Sequence, residues 1–196
     1  MSVSLLFSEQ KSKKIQISPG LEIDIKKNEV YLDVEVVNVE DSLEFVLSYG
    51  KTKDYESLLS TKIKPSELHF ALVSIGLIKH EKSLTEHQPS KCKIFIQHQN
   101  KSIALNDWLI WSDGKKVEKN TYVFQGSYFI KTDNQSEYAA DMNLNMISAV
   151  EAEDAVIVPA FKTGNLYHDS GPAFFKANKK TIPRMGLKVK LLIRKI

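Results

Sequence analysis

The sequence is poor in the residues that most often advertise a function. Cys92 is its single cysteine. That excludes an intrachain disulfide, a cysteine-based zinc site and a four-thiolate iron–sulfur cluster. The eight glycines are few for a protein that cradles phosphates, and GxGxxG, GxxxxGKS/T, GxSxG and HExxH motifs are all missing. No apolar run approaches the roughly 18–20 residues needed to cross a bilayer. The opening MSVSLLFSEQKSKK has too short an apolar stretch, and charges in the wrong order, for a signal peptide. Internal repeats, low-complexity tracts and linkers are absent as well. Residues 1–196 therefore read as one domain, with 1–13 extended or disordered ahead of the first strand.

The apolar share of 42% and charged share of 26% belong to an ordinary globular chain, so a sizeable core is expected. The net charge of +3 conceals an asymmetry, because the segment from Lys176 onward holds eight basic residues and no acidic one. GLKVKLLIRKI within it alternates like a strand with lysines on one face. Such a face either pairs with the acidic remainder of the chain or meets an anionic surface. No aromatic residues interleave with these charges, so nucleic acid is not an expected partner.

Strand patterns dominate. Ile15 and Ile17 alternate, Pro19-Gly20 turns, Leu21, Ile23 and Ile25 alternate again, and Val30, Leu32, Val34 and Val36 share one face. LEFVLSYG is a fourth strand. Further strands are expected at KCKIFIQHQ, TYVFQGSYFIK, EYAAD and NMISAVE, giving about ten in all. Cys92 should lie with Ile94 and Ile96 on the buried face of its strand, as a small apolar side chain rather than a nucleophile. NDWLIW reads as a short amphipathic piece capped by Asn106 or Asp107, with Trp108 and Trp111 as core anchors.

One helix stands out, over residues 65–77. Pro65 suits its first position, Glu67 favours the positive end of the helix dipole, and Gly76 is a natural C-terminal cap. Leu68, Ala71, Leu72 and Ile75 form a buried stripe, and Phe70, Val73 and Leu77 form a second one. A helix apolar on two sides is usually covered on two sides. The expected fold is therefore α+β, predominantly antiparallel β with one central two-sided apolar helix.

The candidate functional residues gather around that helix. If the segment at Glu56 crosses the helix start, its carboxylate could meet the imidazole of His69 beside Ser57. Such a group could orient a base, bind a cation, or simply satisfy buried polar atoms. Gly126 and Ser127 interrupt a strong strand, as a bulge or a place of close backbone approach, and Asp141 reads as a turn or cleft carboxylate. His80, Glu81, Glu86 and His87 crowd one polar loop but lack the paired spacing of a known metal site. No metal and no cofactor is expected. The residues favour a non-catalytic ligand- or partner-binding domain. The alternative is a metal- or small-molecule-binding protein, or a hydrolase-like enzyme using Glu56 and His69.

In order along the chain, LEFVLSYG, YESLL, KPSELHFALVSIG, NDWL, YVFQGSYF, YAAD, ISAVEAEDAVIVP and FKANKKTIPRMGLKVKL resemble the YdjY-like domain family. This is a bacterial family without an established activity, and the likeness runs from about residue 14 onward. Many of its members are exported, so the resemblance implies a periplasmic or cell-envelope location, whereas the lack of a signal-peptide pattern leaves a cytoplasmic location, or a processed chain, as the alternative. Many relatives carry His-Glu-Ser where this chain has Tyr55-Glu56-Ser57, which removes one conceivable metal ligand. The iron–sulfur association of some members has no counterpart in a chain with one cysteine.

Overall fold

The computed structural model describes residues 13–79, 88–131, 135–165, 167 and 172–196. Strands β1 (Ile15–Ser18) and β2 (Leu21–Asp24) form a hairpin, and β3 (Glu29–Val36) pairs antiparallel with β2. Strands β4 (Phe45–Tyr49) and β5 (Ser57–Thr61) pair in parallel, with a 3-10 turn at Asp54–Glu56 between them. Helix α1 (Pro65–Ser74) follows, then the hairpin β6 (Lys91–His98) and β7 (Lys101–Ala104). A 3-10 turn at Leu105–Trp108 leads into β8 (Leu109–Trp111). The second half contains β9 (Tyr122–Phe124), β10 (Phe129–Lys131), β11 (Ser136–Tyr138) and α2 (Ala139–Asn143). It continues with β12 (Asn145–Ser148), β13 (Ile157–Pro159), β14 (Phe175–Ala177) and β15 (Lys188–Lys195).

Eight of these strands close into a barrel in the order β3-β15-β6-β9-β13-β12-β4-β5, and β5 returns to β3 through Glu35↔Ser60 and Val36↔Leu59. Closure leaves no open sheet edge within the ring. The seam between the two ends of the chain is regular: Val30, Leu32 and Val34 of β3 lie opposite Ile193, Leu191 and Val189 of β15. Ile193 and Leu191 face Ile94 and Ile96 of β6 in turn. The alternating apolar residues point into one core, and their polar neighbours point outward. Cys92 is buried with Ile94 and Ile96, and burial pushes its thiol up to about 12, where it stays protonated and unreactive. Trp108 is buried, and Trp111 packs on Phe175 at a ring separation of 4.8 Å.

This architecture corrects the α+β expectation. The protein is a mostly-β closed barrel, with α1 attached to it rather than at its centre. One side of α1 is core, through Leu68, Ala71, Leu72 and, just beyond the helix, Ile75. The second stripe is not covered: Phe70 is 58% and Val73 49% exposed. Leu77 is buried because Gly76, at φ +82°, turns the chain out of helical register. Gly76 donates its N–H to Val73 and Leu77 donates to Leu72, the paired bonds of a Schellman motif.

Smaller corrections follow from the same packing. SLLST, ahead of the helix, is a further strand, β5 of the barrel wall. YAAD divides between the end of β11 and helix α2. Asn106 and Asp107 lie inside the 3-10 turn, whose N-cap is Ala104. Gly126 and Ser127 do not bulge one long strand but separate β9 from β10, which belong to different sheets. The basic strand pairs with the acidic body: Arg194 meets Glu29 at 2.6 Å and Lys190 meets Asp33 at 2.9 Å. The segment 1–13 lies, except for Lys13, outside the described residues. Among the described residues no helix is long and apolar enough to cross a membrane.

Candidate functional site

Of the residues singled out from the sequence, His69, Gly126 and Asp141 meet beside α1, with Ser127 next to Gly126. The helix is anchored at its start by two carboxylates. Glu67 accepts the N–H of Lys64 at 2.8 Å, and Asp141 of α2 accepts the N–H of Ser66 at 2.8 Å. Both place negative charge where the helix dipole favours it, and the second ties α2 to α1. His69, one turn on, is thereby held against Tyr138 at the end of β11. Its Nδ1 lies 2.8 Å from the Tyr138 hydroxyl, and that hydroxyl donates to the carbonyl of Gly126 at 3.0 Å.

A hydroxyl has one hydrogen to give. Tyr138 spends it on Gly126, so Nδ1 of His69 carries the proton of the first bond and Nε2 is left as an acceptor. Burial, reinforced by the charge of Lys79, holds the imidazole below its ordinary pKa, against an opposing contribution from the Gly126 carbonyl. His69 is thus neutral at neutral pH. Burial raises the Tyr138 phenol, which stays protonated. The rings of Phe124 and Tyr138 meet the imidazole edge-on at 5.1 and 5.5 Å.

The carbonyl that ends this relay sits in a turn that few sequences could adopt. Gly126 and Ser127 have φ values of +77° and +48°. A methyl group at Gly126 would lie 2.5 Å from Cβ of Lys79, so both the dihedral and the space call for glycine. The turn is fastened by the N–H groups of Gly126 and Ser127, which donate to Val156 and Ala155. Ser127 Oγ donates to the Asp154 carbonyl at 2.9 Å. Backbone held in the left-handed region at a non-glycine residue is found where surroundings over-determine it, often beside a site.

Above the relay lies a groove of about 680 Å³. Ser66, His69, Phe70 and Val73 line one wall, and Phe129, Tyr138, Asp141 and Met142 the other. Phe129 is 64% exposed, so the groove is bordered by aromatic surface open to solvent. Its volume lies within the range of small-molecule pockets. A groove that joins apolar walls to the His69 imidazole and the carboxylates of Glu137 and Asp141 can hold an apolar group that carries a hydrogen-bond donor.

Glu56 and Ser57 are elsewhere. Glu56 ends the 3-10 turn and Ser57 opens β5, and Glu56 is not among the groups whose charge or hydrogen bond acts on His69. Glu56 is buried, accepts a hydrogen bond from Tyr167 at 3.4 Å, and neighbours Glu44. Burial, and then the hydrogen bond and charge of Glu56, raise the Glu44 carboxyl above its ordinary pKa. Ser57 donates to Ser48 at 2.9 Å across the β4–β5 ladder. The structure therefore separates the two residues from His69.

No group of three or more histidine, cysteine or acidic side chains among the described residues is placed to hold a metal. His80, Glu81, Glu86 and His87 lie outside the described residues. Sequence reasoning missed Tyr138, Phe129 and Met142. The available signal was the uncovered stripe of Phe70 and Val73, which asks what lies opposite.

A closed β-barrel with an apolar groove between an attached helix and a β-ribbon is the class of protein this geometry defines. Residues 21–194 match the YdjY domain, and the chain belongs to that family. No curated protein and no solved structure matches it.

Proposed function

We propose that the protein is a non-catalytic binding domain of the bacterial cell envelope, taking its ligand or partner in the groove over His69. The observation that carries this reading is the neutral imidazole, oriented by Tyr138 and Gly126 at the base of walls built from Phe70, Val73 and Phe129. The envelope location rests on the family resemblance alone. Hydrolase chemistry has little support in the geometry, because a phenol rather than a carboxylate stands behind Nδ1 and Ser57 is committed to Ser48. The alternative of metal or acid–base chemistry on Glu56 with His69 loses its premise once the two are apart.

Indole, an apolar ring with one N–H donor, is a suitable probe. Titrated into isotopically labelled protein and followed by amide NMR, it should shift resonances of Ser66–Val73 and Phe129–Met142. Phe129→Asp, an exposed substitution that leaves the fold intact, should abolish those shifts. Shifts scattered over the barrel, or unchanged in the variant, would remove the groove from consideration.

A further inference from the structure

A concavity larger than the groove over His69 lies elsewhere on the barrel. It encloses about 1050 Å³ between the outward residues of β3 and β15, the link from β5 to α1, and the β6–β7 hairpin. Alternation puts lysines there. With Val189 and Leu191 turned into the core, Lys188 and Lys190 face out. The β6–β7 turn has Gln99 and Asn100 at φ +48° and +62°, the two left-handed residues of a tight hairpin, and it brings Lys101 to the rim. Lys62 enters from the link before α1 and Lys51 from the end of β4.

The charges in this lining are unequally spent. Lys190 is held by Asp33 at 2.9 Å and Glu22 at 3.5 Å. The charge of Lys51 acts on Asp54. Lys62, Lys101 and Lys188 are exposed and form no ion pair among the described residues, against the single unpaired carboxylate of Glu35 in the lining. A concave surface with surplus charge of one sign concentrates ions of the other. Amides from Gln97, Gln99 and Asn100 supply neutral donors beside the lysines. The lining contains no Phe, Tyr or Trp, and His98 is its one ring on which a base or a sugar could stack.

We infer that this groove is a second binding site, one that takes a phosphate group carried on a larger polar molecule, held by Lys62, Lys101 and Lys188 with the amides of the β6–β7 turn. A soluble phosphate ester and a phospholipid headgroup share this chemistry. The site is independent of the His69 groove, since the two have no lining residue in common.

The test uses the whole chain and two probes. Glycerol 3-phosphate is titrated by amide NMR, and co-sedimentation is measured with phosphatidylglycerol and with phosphatidylcholine vesicles. Resonances of Gln97–Ser102 and Lys188–Lys190 should shift with the ester, or the protein should pellet with the anionic vesicles only. The first result names a soluble ligand and the second a membrane surface, and either supports the site. The triple substitution Lys62→Gln, Lys101→Gln, Lys188→Gln should weaken binding about tenfold, the sum of three partly exposed charge interactions. Its thermal midpoint should not change, because all three side chains are exposed. Lys27→Gln, Lys93→Gln, Lys162→Gln removes the same charge outside the groove and should bind like the parent. Failure to bind either probe, or equal weakening in the two triple variants, would overturn the proposal.

Discussion

His69 and Glu56 are close in the chain and end in opposite surroundings. His69 is half-buried among aromatic rings beside a cation, and it answers by staying neutral. Glu56 is buried beside a second carboxyl and two tyrosines, and its neighbour Glu44 answers with a pKa above its ordinary value. In both places the low-dielectric surroundings disfavour charge. Their positions differ in use: the histidine borders an open groove, whereas Glu56 is enclosed near the barrel wall. A titratable group that is oriented, neutral and accessible suits recognition. A carboxyl pair with one buried member is first a matter of stability.

That contrast can be broken most forcefully at the turn supporting His69. Gly126→Val adds a branched side chain at a left-handed dihedral against Lys79, and should cost about 2 kcal/mol or more in urea unfolding. A near-neutral result would mean that the turn does not hold the relay in place. Tyr138→Phe removes only the hydroxyl between His69 and Gly126, and should cost about 1 kcal/mol by the same measurement. It should also free the imidazole tautomer, visible in the ring nitrogen shifts of His69.

The two sites should then show opposite pH dependence. His69 has a lowered folded pKa, so its contribution to stability is present above the ordinary value of 6.5 and is lost as pH falls. Glu44 has a raised folded pKa, so its contribution is present below 4.5 and is lost as pH rises through the folded value. Stability curves for His69→Gln should flatten below pH 6.5, and those for Glu56→Gln above pH 4.5. Parallel changes in both variants would erase the distinction. The smallest effect belongs to Phe70→Ser, which sits on the open wall. It should move stability by less than about 0.5 kcal/mol while weakening indole binding.

Much of the local structure was legible. Pro65, Glu67, the Leu68–Leu72 stripe and Gly76 mark α1, and alternation marks β3, β6 and β15. These signals are local, since each depends on neighbours within a turn or a pleat. Ring closure is not local. It joins β3 to β15 across nearly the whole chain, and no property of either strand alone names its partner. Likewise His69 and Gly126 could be singled out, but Tyr138, which connects them, comes from β11 and is unremarkable in its own segment.

By itself, the sequence determined which residues would be inside: the apolar alternation, the inert Cys92 and the helix with its caps. It also determined that the helix would carry a second apolar stripe, which was expected to be covered. Whether that stripe was buried or open was decided by tertiary structure alone. The barrel satisfies its own edges by closing, so it needs no second layer across Phe70 and Val73. The groove over His69 exists because the left-handed turn at Gly126 and the α1–α2 contact through Asp141 place its two walls face to face.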